Sequence, residues 1–127
     1  MNTDERERLN GLTSKIIGAA QKVSSTLGCG FLEKVYENAL AVELRNRGVG
    51  VVQQRGITVR YEDEIVGEYF ADLLVENRVI VELKAVRSLD SVHEAQCINY
   101  IRASGAPICL LLNFARPRLD VRRIIGA

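Results

Sequence analysis

The spacing of apolar residues predicts two helices in the first part of the chain. Apolar side chains recur every three or four positions over residues 16–27 and again over residues 32–44, which is the period of an amphipathic helix. Thr13 is a suitable cap for the first helix, so residues 1–11 are expected to form a flexible, charged lead. Gly30 is expected to open the second helix. Both helices would pack on one face of the sheet that follows.

A change from helical to alternating periodicity predicts strands after the second helix. Apolar and polar residues alternate over residues 57–61, an acidic turn follows at residues 62–64, and residues 65–75 are predicted to form the return strand. A second turn leads into a predicted strand over residues 79–86. Because the turns are short, these three strands should pair in antiparallel fashion.

The last part of the chain predicts one helix between two strands. Ser91-Val-His-Glu94 has the pattern of a capping box for a helix that runs to Ala103. Residues 107–114 contain a continuous apolar run, as expected of a central strand covered on both faces, and residues 119–125 predict a final strand. A helical connection permits parallel pairing of the central strand. The whole chain is therefore predicted to be one domain with a three-layer α/β/α fold around a central mixed sheet.

Composition narrows the class of protein without identifying a partner. The 127 residues are 47% hydrophobic and 26% charged, which is ordinary for a soluble domain. No apolar run approaches the length of a membrane span, and the charged N-terminus does not resemble a signal peptide, so a cytoplasmic location without a membrane partner is expected. Cys29, Cys97 and Cys109 lack the spacing of metal ligands and are expected to be reduced, mostly buried thiols.

The distribution of charge leaves the question of nucleic-acid binding open. The net charge is +1, which argues neither for nor against such a partner. The C-terminal stretch nevertheless concentrates basic residues against a single acid, Asp120. These residues either contact phosphate or form a solvated edge, and they are Arg116, Arg118, Arg122 and Arg123.

Charged residues inside predicted apolar strands give the main chemical signal. Asp72 ends one strand, and Glu82 and Lys84 lie two residues apart in the next, so the latter two leave the same face. Buried charges cost free energy unless they are paired or bind something. Asp72 and Glu82 are therefore candidate ligands for Mg²⁺ or Mn²⁺, with the Leu83 carbonyl as a third oxygen. In the alternative reading, Glu82 and Lys84 form an exposed pair and Asp72 accepts backbone N–H groups.

A divalent ion at this position would suit hydrolysis of a phosphodiester. The anionic oxygens of that bond repel an incoming hydroxide, and a bound metal ion neutralises this charge and activates water. Lys84 would be a cation beside the metal site. We expect it to position the attacking water or to stabilise the charge that develops on phosphorus, rather than to act as a general base.

The order of these residues resembles that of the PD-(D/E)XK nuclease superfamily. The resemblance joins Asp72, the tripeptide Glu82–Lys84 and a later helix that carries Gln96 and Tyr100. It implies that Gln96 and Tyr100 border the active site and support substrate binding. One departure is Ala71, which stands where many members have a proline. The resemblance extends over nearly the whole chain and implies a restriction-endonuclease-like fold.

An upstream motif resembles the signature of one small clade, the GxxExxY proteins. Gly30, Glu33 and Tyr36 have that spacing. The resemblance implies that Glu33 is the additional helix glutamate that helps to ligate the metal or its water, and therefore a catalytic residue. Glu37, one turn further along, is the competing choice, and only the motif selects Glu33. Tyr36 lies in the apolar stripe, so core packing is its expected role, and Gly30 is expected to serve backbone geometry.

The resemblance implies a metal-dependent nuclease acting on DNA, in repair, recombination or defence. Because so small a domain has little surface beyond its site, sequence-specific recognition would require a homodimer or another partner. The first alternative is a nuclease for RNA or branched DNA. The second is a catalytically silent module that binds nucleic acid or protein on the same fold, and the third is a purely structural role.

Overall fold

The computed structural model describes residues 1–126, which form three helices and five strands. The elements in chain order are α1 (Thr3–Leu27), α2 (Glu33–Asn46), β1 (Val51–Tyr61), β2 (Glu64–Val75), β3 (Val79–Lys84), α3 (Ser91–Ser104), β4 (Ile108–Asn113) and β5 (Asp120–Ile125).

The strands form one mixed sheet in the order β1-β2-β3-β4-β5. The pairs β1–β2, β2–β3 and β4–β5 are antiparallel, whereas β3 and β4 are parallel. The parallel pair is joined through α3, because parallel neighbours need a crossover rather than a hairpin. The predicted meander and the predicted parallel crossover are both confirmed.

Helices cover both faces of the sheet, which confirms the three-layer α/β/α architecture. Residues of α1 and α2 share one apolar cluster with Val79, Val81 and Leu83 of β3. Residues of α3 share a second cluster with Ile80. Since side chains alternate along a strand, Glu82 leaves β3 on the same face as Ile80, toward α3. Over residues 1–126, no helix has the length and apolar character needed to cross a membrane.

The first helix begins at Thr3 with Asn2 as its cap, about three turns before the cap predicted at Thr13. Asn2 caps it, because its Oδ1 accepts a hydrogen bond from the Glu5 backbone N–H at 2.9 Å. Thr13 is buried within the helix, where its hydroxyl donates to the Asn10 carbonyl at 3.0 Å. The expectation of a flexible lead was therefore wrong. The first turns of α1 are mostly polar and lack the apolar stripe on which the prediction depended.

The cap of α3 lies one residue earlier than predicted. The Asp90 carboxylate accepts hydrogen bonds from the N–H groups of Val92, at 2.9 Å, and His93, at 3.4 Å. His93 Nδ1 in turn accepts from the Asp90 N–H at 3.1 Å. This is a capping box with histidine as the reciprocal partner. The predicted box from Ser91 to Glu94 was wrong in its register.

Candidate functional site

Asp72 and Glu82 lie side by side on β2 and β3. Leu73 pairs with Val81 in the antiparallel ladder, so the register sets Asp72 opposite Glu82. The Asp72 N–H donates to Glu82 Oε2 at 3.0 Å, and the Leu83 N–H donates to Asp72 Oδ2 at 2.9 Å. One oxygen of each carboxylate is held by the backbone in this way. Among the described residues, the other oxygen of each has no backbone donor, and Asp72 Oδ1 lies 3.5 Å from the Gln54 amide nitrogen.

Burial and proximity make this pair of carboxylates electrostatically unusual. Glu82 is only 3% exposed. Burial, followed by the hydrogen bond and the negative charge of Asp72, raises the pKa of Glu82 to about 9. Two carboxyl groups this close resist joint ionisation unless a cation joins them. The donor set, two hard carboxylate oxygens on one face, therefore fits a Mg²⁺ or Mn²⁺ ion that completes its shell with water.

Lys84 ends β3 on the same face as Glu82. It pairs with Asn113 in the parallel ladder, and its carbonyl accepts from the Phe114 N–H at 2.8 Å. These backbone contacts fix the end of the strand. Among residues 1–126 the ammonium group of Lys84 forms no ion pair. The side chain is half-buried and leaves β3 on the Glu82 face.

Glu33 is the first residue of α2 and lies at the end of β3. Its Oε2 accepts a hydrogen bond from the Ala85 N–H at 2.8 Å, immediately after Lys84. The side chain is exposed. Across the described residues, no group of three or more His, Cys, Asp or Glu side chains is placed to hold a single metal ion. Glu33 is thus bonded to the backbone just beyond β3 and forms no three-residue metal cluster with Asp72 and Glu82.

The other two residues of the upstream motif shape the loop before α2. That helix begins at Glu33 and not at Gly30, which instead lies in the loop at a φ of 106°. A side chain is disfavoured at that φ, so the expectation that Gly30 serves backbone geometry is confirmed. Tyr36 is buried and stacks on Phe114 with ring centroids 4.7 Å apart. Its hydroxyl donates to the Gly28 carbonyl at 2.6 Å, so Tyr36 ties the loop to the core.

Gln96 and Tyr100 lie one helical turn apart on α3 and interact directly. Gln96 Nε2 donates to the Tyr100 hydroxyl at 3.0 Å. Burial raises the pKa of Tyr100, and the nearby charge of Glu82 adds to this effect. The Tyr100 ring also contacts Tyr69 of β2, with centroids 5.9 Å apart. The two α3 residues are therefore on the same side of the sheet as the carboxylate pair.

This arrangement of acids, lysine and helix residues coincides with a match to a known family. Residues 10–124, most of the chain, match the family model of the PD-(D/E)XK nuclease superfamily. The chain belongs to the PD-(D/E)XK nuclease superfamily. Membership points to a nuclease, hence to nucleic acid as the class of substrate and to divalent metal ions as the usual cofactor.

The fold is also similar to that of a solved protein. The crystal structure of SSO0001 superposes with a TM-score of 0.59 at 16% sequence identity. The match covers 74% of this chain and 50% of SSO0001, so the chain spans half the length of that relative. At this identity the likeness supports the restriction-endonuclease-like fold alone. A comparison with curated proteins gave no match.

Sequence reasoning missed a glutamine that connects α2 to Asp72. Gln54 Nε2 donates to Glu37 Oε1 at 2.9 Å and lies 3.5 Å from Asp72 Oδ1. Glu37 is only 4% exposed; its carboxylate also accepts from Gln53 at 2.8 Å and from Lys34 at 3.2 Å. Gln54 has a φ of 53° and no partner in the β1–β2 ladder. No residue pattern signals a positive φ at a glutamine, so this link was invisible in the sequence.

Most of the basic C-terminal stretch is engaged within the protein. Arg122 forms an ion pair with Glu94 at 2.7 Å, and Arg123 donates to the Thr13 hydroxyl at 3.1 Å. Arg116 donates to a backbone carbonyl at 2.9 Å. These three contacts fasten β5 and its preceding loop to the rest of the fold. These internal contacts favour an edge of the fold over a phosphate-binding patch.

The cysteines follow the prediction with one exception. Cys97 and Cys109 are buried, whereas Cys29 is exposed after α1. A hydrogen bond between the two buried thiols lowers the pKa of Cys97 and raises that of Cys109. Both belong to the apolar cluster under α3, where they serve as small packing groups.

Proposed function

We propose that this protein is a divalent-metal-dependent nuclease that hydrolyses DNA phosphodiester bonds. The observation that carries the proposal is the side-by-side pair of the half-buried Asp72 and the buried Glu82. Such a pair is costly in a metal-free fold, because one acid must take up a proton or both must repel. A catalytic cation would remove that cost. The superfamily to which the chain belongs supports the same reading.

In this proposal the metal is held by the carboxylate oxygens of Asp72 and Glu82 that the backbone leaves open. The Leu83 carbonyl is the proposed third protein ligand, since the Leu83 peptide already borders the pair through its N–H. Glu33 is proposed to orient water or support a second ion from the end of β3. When bound, a divalent ion supplies positive charge against the phosphate oxygens and makes water a better nucleophile.

The remaining side chains would act on the phosphate directly. Lys84, free of ion pairs among the described residues, would stabilise the negative charge that builds up at phosphorus. Gln96 and Tyr100 present an amide and a hydroxyl on the same face, and both groups can hydrogen-bond a phosphate oxygen. Electrostatic stabilisation of this kind is the larger part of phosphoryl-transfer catalysis.

Finer features belong to the same proposal. The motif of Gly30, Glu33 and Tyr36 assigns the chain to the GxxExxY clade, and residues 1–127 act as one nuclease domain. Its size favours a homodimer, because a second copy would supply the surface needed for recognition. DNA is the proposed substrate, in a repair, recombination or defence role.

The test is a cleavage assay with defined substrates. Labelled single-stranded, duplex and branched DNA, and RNA, are incubated with the purified protein in Mg²⁺, Mn²⁺ or chelator. Cleavage should require metal and should fall by roughly a hundredfold or more in Glu82→Gln, which removes a charge without changing the shape of the side chain.

The matched control is Glu7→Gln, which neutralises an exposed acid on α1 and should leave cleavage unchanged. If only RNA is cleaved in a metal-dependent manner, the substrate is RNA and not DNA. No cleavage of any substrate by the wild type would favour a catalytically silent binding module and overturn the proposal.

A further inference from the structure

An open groove lies beside the carboxylate pair, between the β1–β2 hairpin and α3. Its volume is about 1260 Å³. Ala71 and Ile80 form part of its floor; the first precedes Asp72, and the second lies on the same face of β3 as Glu82. Tyr100 forms part of the α3 wall. The groove therefore borders the strand positions of the two acids, although neither acid lines it.

The charge of the groove is entirely positive. Its lining contains no acidic residue, and the acidic turn of residues 62–64 closes the hairpin without lining it. Within the described residues its arginines form no ion pair and no side-chain hydrogen bond, in contrast to Arg122. A concave surface with unpaired charges of one sign concentrates counter-ions of the other. The four arginines are Arg55, Arg60, Arg78 and Arg102.

An exposed aromatic ring lines the same groove. Tyr69 is 52% exposed although it contacts Tyr100. A flat ring next to arginines is the arrangement that stacks a base while the phosphates are held by charge. Bases within a duplex are already stacked on each other, so such a ring serves a strand whose bases are unpaired.

We propose that this groove, the arginine groove, binds a single-stranded segment of DNA and leads it to Asp72 and Glu82. The arginines contact the phosphates and Tyr69 stacks on a base. The direction toward the two acids rests on the proposed nuclease function. Binding itself does not, because the arginine groove contains none of the proposed metal ligands.

The proposal is tested by binding in the absence of catalysis. Fluorescence anisotropy with a labelled 15-nucleotide oligothymidine is measured in chelator over a range of salt concentrations. The double variant Arg55→Ala/Arg102→Ala should bind roughly tenfold or more weakly, and its salt slope should be shallower by about 1.4, because two phosphate contacts are lost. Arg45→Ala removes an exposed arginine of α2 outside the arginine groove, and this variant should bind as the wild type does.

A second pair of variants tests the stacking ring. Tyr69→Phe keeps the ring and should retain binding, whereas Tyr69→Ala should weaken it by about fivefold or more. Arg55→Lys/Arg102→Lys keeps both charges and should recover most of the affinity lost in the alanine variant. Circular dichroism melts of all variants exclude unfolding as the cause.

Three outcomes would overturn the inference. The first is unchanged binding by Arg55→Ala/Arg102→Ala, and the second is tighter binding of a duplex of the same length than of the single strand. The third is a change in sedimentation coefficient in that variant, because this would make the groove an interface between copies. Failure of the cleavage assay with retained, arginine-dependent binding would reject the nuclease proposal alone.

Discussion

The backbone N–H of Asp72 donates to the Glu82 carboxylate at 3.0 Å, so the main chain of one acid orients the side chain of the other. In the other direction, the backbone N–H of Leu83, the residue after Glu82, donates to the Asp72 carboxylate at 2.9 Å. Two hydrogen bonds between backbone and side chain therefore hold the pair just beyond the last ladder pair, Leu73–Val81. Pre-organisation of this kind would let the proposed metal ion bind without prior rearrangement.

The raised pKa of Glu82 predicts how stability depends on pH in the metal-free protein. Its ordinary pKa is 4.5 and its value in the fold is about 9, so the folded protein holds a proton that the unfolded chain releases. The free energy of unfolding should therefore fall as pH rises through this range, by up to about 1.4 kcal/mol per pH unit. Glu82→Gln should remove this slope and be the more stable protein at pH 8. Urea denaturation in chelator at pH 5, 6.5 and 8 measures the unfolding free energy of the wild type and of Glu82→Gln. The same dependence of this free energy on pH in both proteins would contradict the prediction.

Metal binding should raise thermal stability in a manner that needs both acids. A divalent ion at 100 times its dissociation constant stabilises the fold by about 2.7 kcal/mol if it binds only the native state. Addition of Mn²⁺ or Mg²⁺ should therefore raise the melting temperature of the wild type, and Asp72→Asn and Glu82→Gln should abolish the increase. Differential scanning fluorimetry measures it, with Glu7→Gln as the control. An equal increase in all four proteins would place the ion elsewhere.

Gln54 should act as a positioning residue for Asp72. Gln54→Gly removes the amide between Glu37 and Asp72 and suits the backbone φ of 53°. We expect nuclease kcat to fall roughly tenfold, as for other partners that orient a metal ligand, with KM little changed. Gln53→Ala is the matched control, because Gln53 also donates to Glu37 but has no contact with Asp72. Equal effects of the two substitutions on kcat would mean that both glutamines act only through their hydrogen bonds to Glu37, and that Gln54 does not position Asp72.

The Tyr36 hydroxyl should contribute to stability independently of its ring. Tyr36→Phe keeps the stacking on Phe114 but leaves the Gly28 carbonyl without its donor at 2.6 Å and the Phe31 N–H without its acceptor at 3.3 Å. The expected loss in unfolding free energy is about 2 kcal/mol, because each of the two hydrogen bonds is usually worth about 1 kcal/mol. Chemical denaturation measures it. A loss as large as that of Tyr36→Ala would mean that the ring contributes nothing.

Residue patterns predicted the sheet and the acid pair well because both depend on short-range rules. Alternation along β3 assigned Glu82 to the face opposite Val79, Val81 and Leu83, and the short turn before β3 implied an antiparallel neighbour. Together these rules bring Asp72 next to Glu82. The same rules failed for the first turns of α1, whose stability comes from the Asn2 cap and from helical continuity rather than from an apolar stripe.

Features that arise between distant segments were not accessible from the sequence. The link from Gln54 to Glu37 requires an irregular residue in β1 to meet α2. The arginine groove requires the hairpin and α3 to face each other, and its arginines are scattered from Arg55 to Arg102. Glu33 was selected by a motif, but its bond to the Ala85 N–H emerged only when α2 was packed against the end of β3.

The closeness of the two acids along the chain has a consequence for folding. Asp72 and Glu82 are ten residues apart on strands joined by a tight turn, so little loop entropy is lost when they meet. The cost of burying Glu82 beside Asp72, which Glu82 meets by taking up a proton, therefore falls on a local step, the pairing of β2 with β3. A cation that binds both acids while the chain is still collapsing would remove that cost, so metal ions should accelerate refolding as well as stabilise the finished fold.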